Sequence, residues 1–277
     1  MRMHLWVCAV VIAALFCSLA QAGLVTYWSF DSDFAADAGG AAFDLTSFNG
    51  ATAGDAGGAF GNAATFERDN EEYAFTTGNV LTQGPGQDHS YSAWYLLDVA
   101  DITGSSRYFV LETTAGDAPS GDAAWSASYG LRDLSGVDSG QVYSRTDSGD
   151  APNVDFDANG NQVWHSIIVT YDADGGANAG EGRHDAYLDG TLVGTFDNVD
   201  PLEAVEGLVI GGHRAGTGRN FNGQVDAVSF YNHVLSSGEI GLLQSNPVVP
   251  EPSTLALLGF LSGLGVLGGR RRRGVFR

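Results

Sequence analysis

The sequence predicts an all-β fold, a two-sheet antiparallel sandwich, and three observations carry that prediction. Its middle is a succession of short segments rich in β-branched and aromatic residues and largely alternating in polarity. Clusters of Gly, Asp, Asn and Ser, such as GPGQDHS (84–90) and ADGGANAGEG (173–182), separate those segments and supply turn chemistry. One stretch alone has a helical pattern, so there is no β–α–β alternation to build a parallel sheet.

The strands follow in order. LVTYWSF (24–30), YSAWYLL (91–97) and RYFVLET (107–113) come first, then VWHSIIVTY (163–171), DAYLD (185–189), TLVGTF (191–196) and QVDAVSFY (224–231). Asp189-Gly190 between two alternating runs is a strong two-residue hairpin signal. The helical stretch is SSGEIGLL (236–243), where Ser236 stands three residues before Glu239, the spacing of a capping box, and Ile240 and Leu243 share a face. Trp28, Trp94 and Trp164 fall on apolar strand patterns and are expected in the core. No fixed-period repeat or long linker divides 23–245, which is therefore one domain, followed by a tail at 246–277.

Residues 1–22 have a basic Arg2, an apolar stretch from Leu5 to Leu19 and a small-residue exit, Ala20-Gln21-Ala22, the pattern of a cleaved secretory signal. Both cysteines, Cys8 and Cys17, lie inside it. The mature chain then has no disulfide and no cysteine chemistry, and must be held by its core, helped or not by an oxygen-ligated cation. Lysine is absent and the formal net charge is −20. The domain is more acidic still, because Arg2, Arg270, Arg271, Arg272, Arg273 and Arg277 all lie outside it. Such a surface excludes nucleic acid and anionic lipid as partners and suits cations or hydrated neutral polymers.

YWSFD, DLTSFNGAT (44–52), AATFERDNEEYAF (63–75), VWHSIIVTYDADG (163–175), AYLDGTLVGTF (186–196), LVIGGHR (208–214) and FNGQVDAVSFYNHVLSSGEI (221–240) occur in that order. Together they resemble the laminin-G-like branch of the concanavalin A-like lectin/glucanase superfamily. The resemblance implies a jelly roll of two curved sheets, a fold that hosts lectins, adhesion modules and hydrolases alike. It also implies a structural Ca²⁺ between the first and last strands, with Asp31 and Asp226 at the matching positions.

Three other constellations bear on chemistry. In ERDNEE (67–72), Glu67, Asp69 and Glu71 have the alternate spacing of a glycosidase strand, yet Arg68 and Asn70 occupy the places that should anchor it in the core, so a solvated acidic turn is the expectation. DFDANG (155–160) starts like a calcium loop, with Asp155, Asp157 and Asn159, but Ser166 stands where an EF-hand needs Glu, which leaves an Asx turn. No serine sits in an elbow motif, the histidines are scattered, and His165 after Trp164 is expected in the core or on a sheet face. For a ligand surface the expectation is Trp125, in the polar SGDAAWSASYG, with Tyr129 and Tyr143 as neighbours: an exposed ring could stack on a sugar face.

The chain closes on VPEPSTLALLGFLSGLGVLGGRRRRGVFR. No charge occurs from Ser253 to Gly269, a length of about 26 Å if helical, and four arginines follow. That is short for a bilayer but sufficient with snorkelling arginines, which basic flanks keep on the cytoplasmic side. The order Pro250-Glu251-Pro252, apolar helix, arginine cluster resembles the PEP-CTERM sorting signal of Gram-negative bacteria. That resemblance implies a membrane exosortase as partner, transient anchoring, and a destination at the cell surface or in an exopolysaccharide matrix. The function expected is non-catalytic binding of extracellular polysaccharide, with a structural or adhesive protein-binding matrix role second and hydrolysis at ERDNEE third.

Overall fold

The structure is a computed structural model and describes residues 23–78, 80–98, 108–115, 124–136, 139–146, 149–150, 154–156, 163–198, 204–216 and 218–248. The signal segment with Ala20 and Ala22, the Asp157–Gly160 turn and the tail from Pro250 through Arg273 lie outside those residues. Leu24–Val248 forms one compact unit.

Sixteen strands are described, and they pair antiparallel into two sheets. The first sheet joins β14 (Thr191–Asn198), β13 (Gly182–Leu188), β12 (Trp164–Asp172), β6 (His89–Leu97), β16 (Gly223–Tyr231), β4 (Asn62–Phe66) and β3 (Thr52–Ala56) in that order, and β1 (Leu24–Trp28) also pairs with β16. The second runs β10 (Gly149–Asp150), β9 (Ser139–Thr146), β8 (Ala124–Gly136), β7 (Tyr108–Ala115), β15 (Gly207–Ile210), β5 (Tyr73–Thr76) and β2 (Leu45–Phe48), with β11 (Val154–Phe156) on β9. Because β1 lies against β16, the two ends of the domain meet within one sheet.

Period-two alternation explains the core. Along β6, Tyr91, Ala93, Tyr95 and Leu97 point between the sheets and join Trp28, Phe66, Val110, Leu111, Ile167, Val169, Ile210, Val225 and Phe230 in one apolar cluster. The other face of the first sheet is not left to water. The helix α1 (Ser237–Leu243) and the segment before it lie over it: the Ser90 hydroxyl donates to the His233 carbonyl at 2.8 Å and accepts from Leu235 N–H, and Ser166 donates to the Gln244 amide oxygen at 3.0 Å. Ile240 and Leu243 are buried beneath the helix. Covered on both faces, β12 is buried continuously from Ser166 to Tyr171, and its apolar residues Ile167, Ile168 and Val169 run without alternation.

Local signals act as expected at two turns. Ser236 accepts from Glu239 N–H while the Glu239 carboxylate accepts from Ser236 N–H, which closes the capping box. Asp189 and Gly190 have φ of +50° and +73°, the left-handed pair that a two-residue hairpin between β13 and β14 requires. Asp189 is fixed further, since its carboxylate accepts from Ser166 N–H at 2.9 Å and meets His165 Nδ1 at 2.7 Å.

Two tryptophans depart from the expected core placement. Trp28 is fully buried and donates to the Phe43 carbonyl. Trp94 and Trp164 are half-buried at the other face of the first sheet. There they grip the β3–β4 loop: Trp164 Nε1 donates to the Gly57 carbonyl at 2.9 Å, and Phe60 packs edge-on against Trp94 at 5.3 Å. An apolar strand pattern gives the period but not which side of the sheet is inside.

Candidate functional site

The outer face of the second sheet concentrates aromatic rings. The rung Thr46–Phe75–Val209–Glu112 crosses β2, β5, β15 and β7, and Phe48 stands opposite Tyr73 two rungs along, on the same face. Their neighbours Leu45, Ala74, Leu208, Ile210 and Leu111 face the core, so this set faces away. Tyr73, Phe75 and Val209 accordingly form an apolar cluster separate from the core. Phe48 is 39% exposed and stacks on Tyr73 with centroids 4.6 Å apart and ring planes at 26°. Phe75 lies 5.8 Å from Tyr73.

The segment Gly211–Gly216 folds over this face and buries Tyr73, leaving Phe48 as its exposed ring. At Gly212 a side chain would meet the Tyr73 Cβ at 2.7 Å. Gly216 has φ +72° and would meet the Tyr73 hydroxyl at 2.8 Å. Only glycine allows so close an approach. Arg214 anchors the segment: its backbone N–H donates to Glu112 Oε2, and its guanidinium to Glu112 Oε1 at 3.0 Å. Glu112 is fully buried. His213 stacks on Phe109 at 5.7 Å, and its pKa falls to about 4 because burial disfavours the cation and Arg214 and Arg219 repel it. With both oxygens engaged by Arg214, Glu112 anchors the segment to β7.

ERDNEE forms a turn between β4 and β5. Arg68–Asn70 is a short 3₁₀ segment, Glu71 is left-handed at φ +56°, and Arg68 pairs with the exposed Asp69 next to it. Glu67, Asp69 and Glu71 therefore do not line one face of a strand. The buried member is Glu72, which accepts from Glu67 N–H at 2.8 Å and from the Asn70 amide at 3.0 Å. His165 lies against Tyr95 and Asp189 on the core side of β12.

Asp31 and Asp226 are brought under one loop. Asp31 Oδ1 accepts from Asn62 N–H at 2.8 Å, Asp226 Oδ2 from Phe60 N–H at 2.9 Å, and Asp226 Oδ1 from Ala227 N–H at 2.6 Å. Burial pushes the Asp226 carboxyl up to about 6. The Asp31 charge adds to the rise, and the backbone donors oppose it. Burial, with the charges of Asp226, Asp37 and Asp31 around it, also pushes the Tyr27 phenol up. Among the described residues no three His, Asp or Glu side chains converge as a metal site.

Trp125 and Tyr129 lie on β8 and Tyr143 on β9, all in the second sheet; their side chains lie outside what the structure describes. Tyr129 is opposite Ser144 and Tyr143 opposite Gly130, so the two tyrosines occupy successive rungs.

Residues 68–241 match the laminin-G-like family of the concanavalin A-like lectin/glucanases superfamily. The chain belongs to that superfamily. No curated protein matches it. Among solved structures, this laminin-G-like domain is similar to domain 4 of AbnA, an extracellular arabinanase of Geobacillus stearothermophilus solved with arabinotriose: TM-score 0.54, 17% identity, 81% of this chain and 99% of that one. It is also similar to the botulinum neurotoxin serotype D ligand-binding domain solved with N-acetylneuraminic acid (TM-score 0.53, 11% identity, 80% of this chain and 50% of that one). The binding domain of botulinum neurotoxin DC, solved with SialylT, gives TM-score 0.52 at 12% identity over 82% of this chain and 51% of that one. The chain thus spans about half the length of the toxin domains it matches.

The aromatic face was missed in the sequence, although a signal for it exists. In Tyr73-Ala74-Phe75 the two rings share a face and the small residue takes the other, which in a sandwich with a large core on one side admits either assignment. Phe48, two residues after Thr46 in a polar stretch, had the same ambiguity.

Proposed function

We propose that this laminin-G-like domain is an exported, non-catalytic binding module for extracellular polysaccharide, and that the outer face of the second sheet is where the glycan lies. One observation carries the reading: Phe48, 39% exposed and held in place by stacking on the buried Tyr73, presents a preset apolar ring of the kind a sugar covers. Trp125 and Tyr143 lie farther along the same sheet and are proposed as further contacts; Tyr129 shares its rung with Leu111, a core-facing position, and is not proposed for this face. The sugar complexes of the similar solved domains support the class of ligand and do not select one.

Export and sorting are part of the proposal. The leader is cut after Ala22, the C-terminal helix pauses in the inner membrane, Arg270 to Arg273 stay on the cytoplasmic side, and an exosortase acts at Pro250-Glu251-Pro252. Proline on both sides keeps Glu251 extended for recognition. The protein then resides at the cell surface or in the matrix of a Gram-negative bacterium. Asp31 and Asp226 are proposed to hold Ca²⁺, with backbone carbonyls and water as further oxygens; the pair of carboxylates, one of them buried, fits a hard cation. Bound there, the ion would supply charge neutralisation and a tie between the two chain ends.

A glycan array probed with the purified protein tests the ligand, and Phe48→Ala tests the platform. Loss of one stacked ring is expected to weaken retention by about tenfold, equivalent to about 1.4 kcal/mol, with an unchanged melting temperature. An array blank for the wild type would transfer the function to protein adhesion; undiminished retention by the variant would move the site off this face. Mass spectrometry of surface-extracted protein should find Gly23 as the first residue, and an uncut leader in the cytosol would end the export reading.

A further inference from the structure

At the end of the sandwich where β6 begins and β12 and β16 finish, three loops border an open, shallow cleft of about 420 Å³. Gln83, Gln87, Asp88, Asp174 and Asn232 supply its polar lining. It shares no residue with the aromatic face or with the Asp31–Asp226 pair.

Three of the five side chains are fixed by one hydrogen bond and retain a second polar group. The Gln83 amide donates to the Asp88 carbonyl at 2.8 Å and keeps its oxygen. Gln87 accepts from Gly84 N–H at 3.0 Å through its oxygen and keeps its NH₂. Asp88 accepts from Ala173 N–H at 2.9 Å through Oδ1 and keeps Oδ2. The loop is pinned from below by buried His89, whose Nδ1 donates to the Gln87 carbonyl at 2.8 Å. The side chains of Asp174 and Asn232 make no hydrogen bond to the described residues.

What remains is the fixed Asp88 carboxylate, one amide oxygen and one NH₂, with the exposed Asp174 carboxylate and Asn232 amide beside them and no cationic side chain in the lining. Carboxylates accept from the paired hydroxyls of a sugar, and amide NH₂ groups donate to hydroxyl or ring oxygens. An anionic sugar would meet two unneutralised carboxylates. We propose that this cleft binds a neutral sugar residue through its hydroxyls, as a second glycan site independent of the aromatic platform. Two sites on one module would raise retention on a repeating polymer beyond that of either alone.

The test is a titration of the isotopically labelled, purified protein with arabinotriose, laminaritriose and cellotriose, following the side-chain NH₂ resonances of Gln87 and Asn232. At least one trisaccharide is expected to shift both saturably, and N-acetylneuraminic acid neither. Asp174→Ala, at an exposed turn position, should weaken that titration about tenfold, the low end of the effect of losing one hydrogen bond to a charged group. Phe48→Ala should leave it unchanged, which separates failure of this site from failure of the platform. The proposal is overturned if neither resonance moves with any of the three sugars, if Asp174→Ala titrates like the wild type, if N-acetylneuraminic acid shifts both as far, or if Ca²⁺ alone shifts them and sugar does not.

Discussion

Gly61 is where a single atom decides the geometry of the acidic pair. Its φ is +150°, and an added Cβ would lie 2.2 Å from Asp31 Oδ1, the same oxygen that accepts from Asn62 N–H. Gly57 in the same loop has φ +100° but nothing within 4 Å of an added Cβ. Replacing each by Ala therefore separates strain from collision. Gly57→Ala is expected to cost about 1 kcal/mol from the backbone conformation alone. Gly61→Ala adds displacement of the solvent-exposed Asn62–Asp31 hydrogen bond and should cost about 2 kcal/mol in all. Thermal denaturation of both variants checks this, and equal losses would mean that the Asp31 contact carries no weight.

At the scale of elements, α1 is seven residues long and cannot be stable by itself, so its cap and its buried face must hold it. The capping box was legible from Ser236 and Glu239 alone. What the spacing did not reveal is that Glu239 also meets His233 Nε2 at 3.1 Å, which ties the cap to the strand-to-helix connection. Ser236→Ala should cost about 1 kcal/mol. Because α1 covers Ser90 and Ser166, hydrogen exchange at the β6–β12 pairing should rise in that variant, whereas an effect confined to the helix would refute the covering role. The β8–β9 pair has the opposite history. SGDAAWSASYG reads as polar loop, yet it contributes to a 13-residue strand, because β-propensity reflects fit against neighbouring strands more than intrinsic preference.

For the whole molecule, titration sets a pH window. His89 is buried and its pKa falls to about 4, like that of His213, while unfolded histidine titrates near 6.5. Between those values the unfolded chain binds protons that the native state does not, so stability rises with pH from 4 to 6.5 and is flat above. Asp226 works in the opposite sense. Its native pKa of about 6 exceeds the ordinary 3.8, so its contribution is full below 3.8 and is lost as pH rises through 6. Two histidines outweigh one carboxylate, and the melting temperature in chelator should climb across pH 4–6.5. Asp226→Asn should steepen that climb. If the proposed Ca²⁺ tie exists, adding the ion at pH 7 raises the wild-type melting temperature and leaves Asp226→Asn unmoved; an ion with no effect on the wild type removes the tie.

From the amino-acid order by itself came the antiparallel two-sheet class, most of the longer strands, the Asp189-Gly190 hairpin and the capped helix. Each is settled by contacts between near neighbours, where period, turn residues and cap spacing suffice. The tertiary structure alone decided which side of each sheet is inside. Trp94 and Trp164 face outward to hold a loop, Phe48 lies exposed over the buried Tyr73 on the side away from the core, and Glu112 is buried under Arg214 from a segment 102 positions away. Period two says that alternate residues share a face. Only the partner that arrives from elsewhere in the chain says which face stays dry.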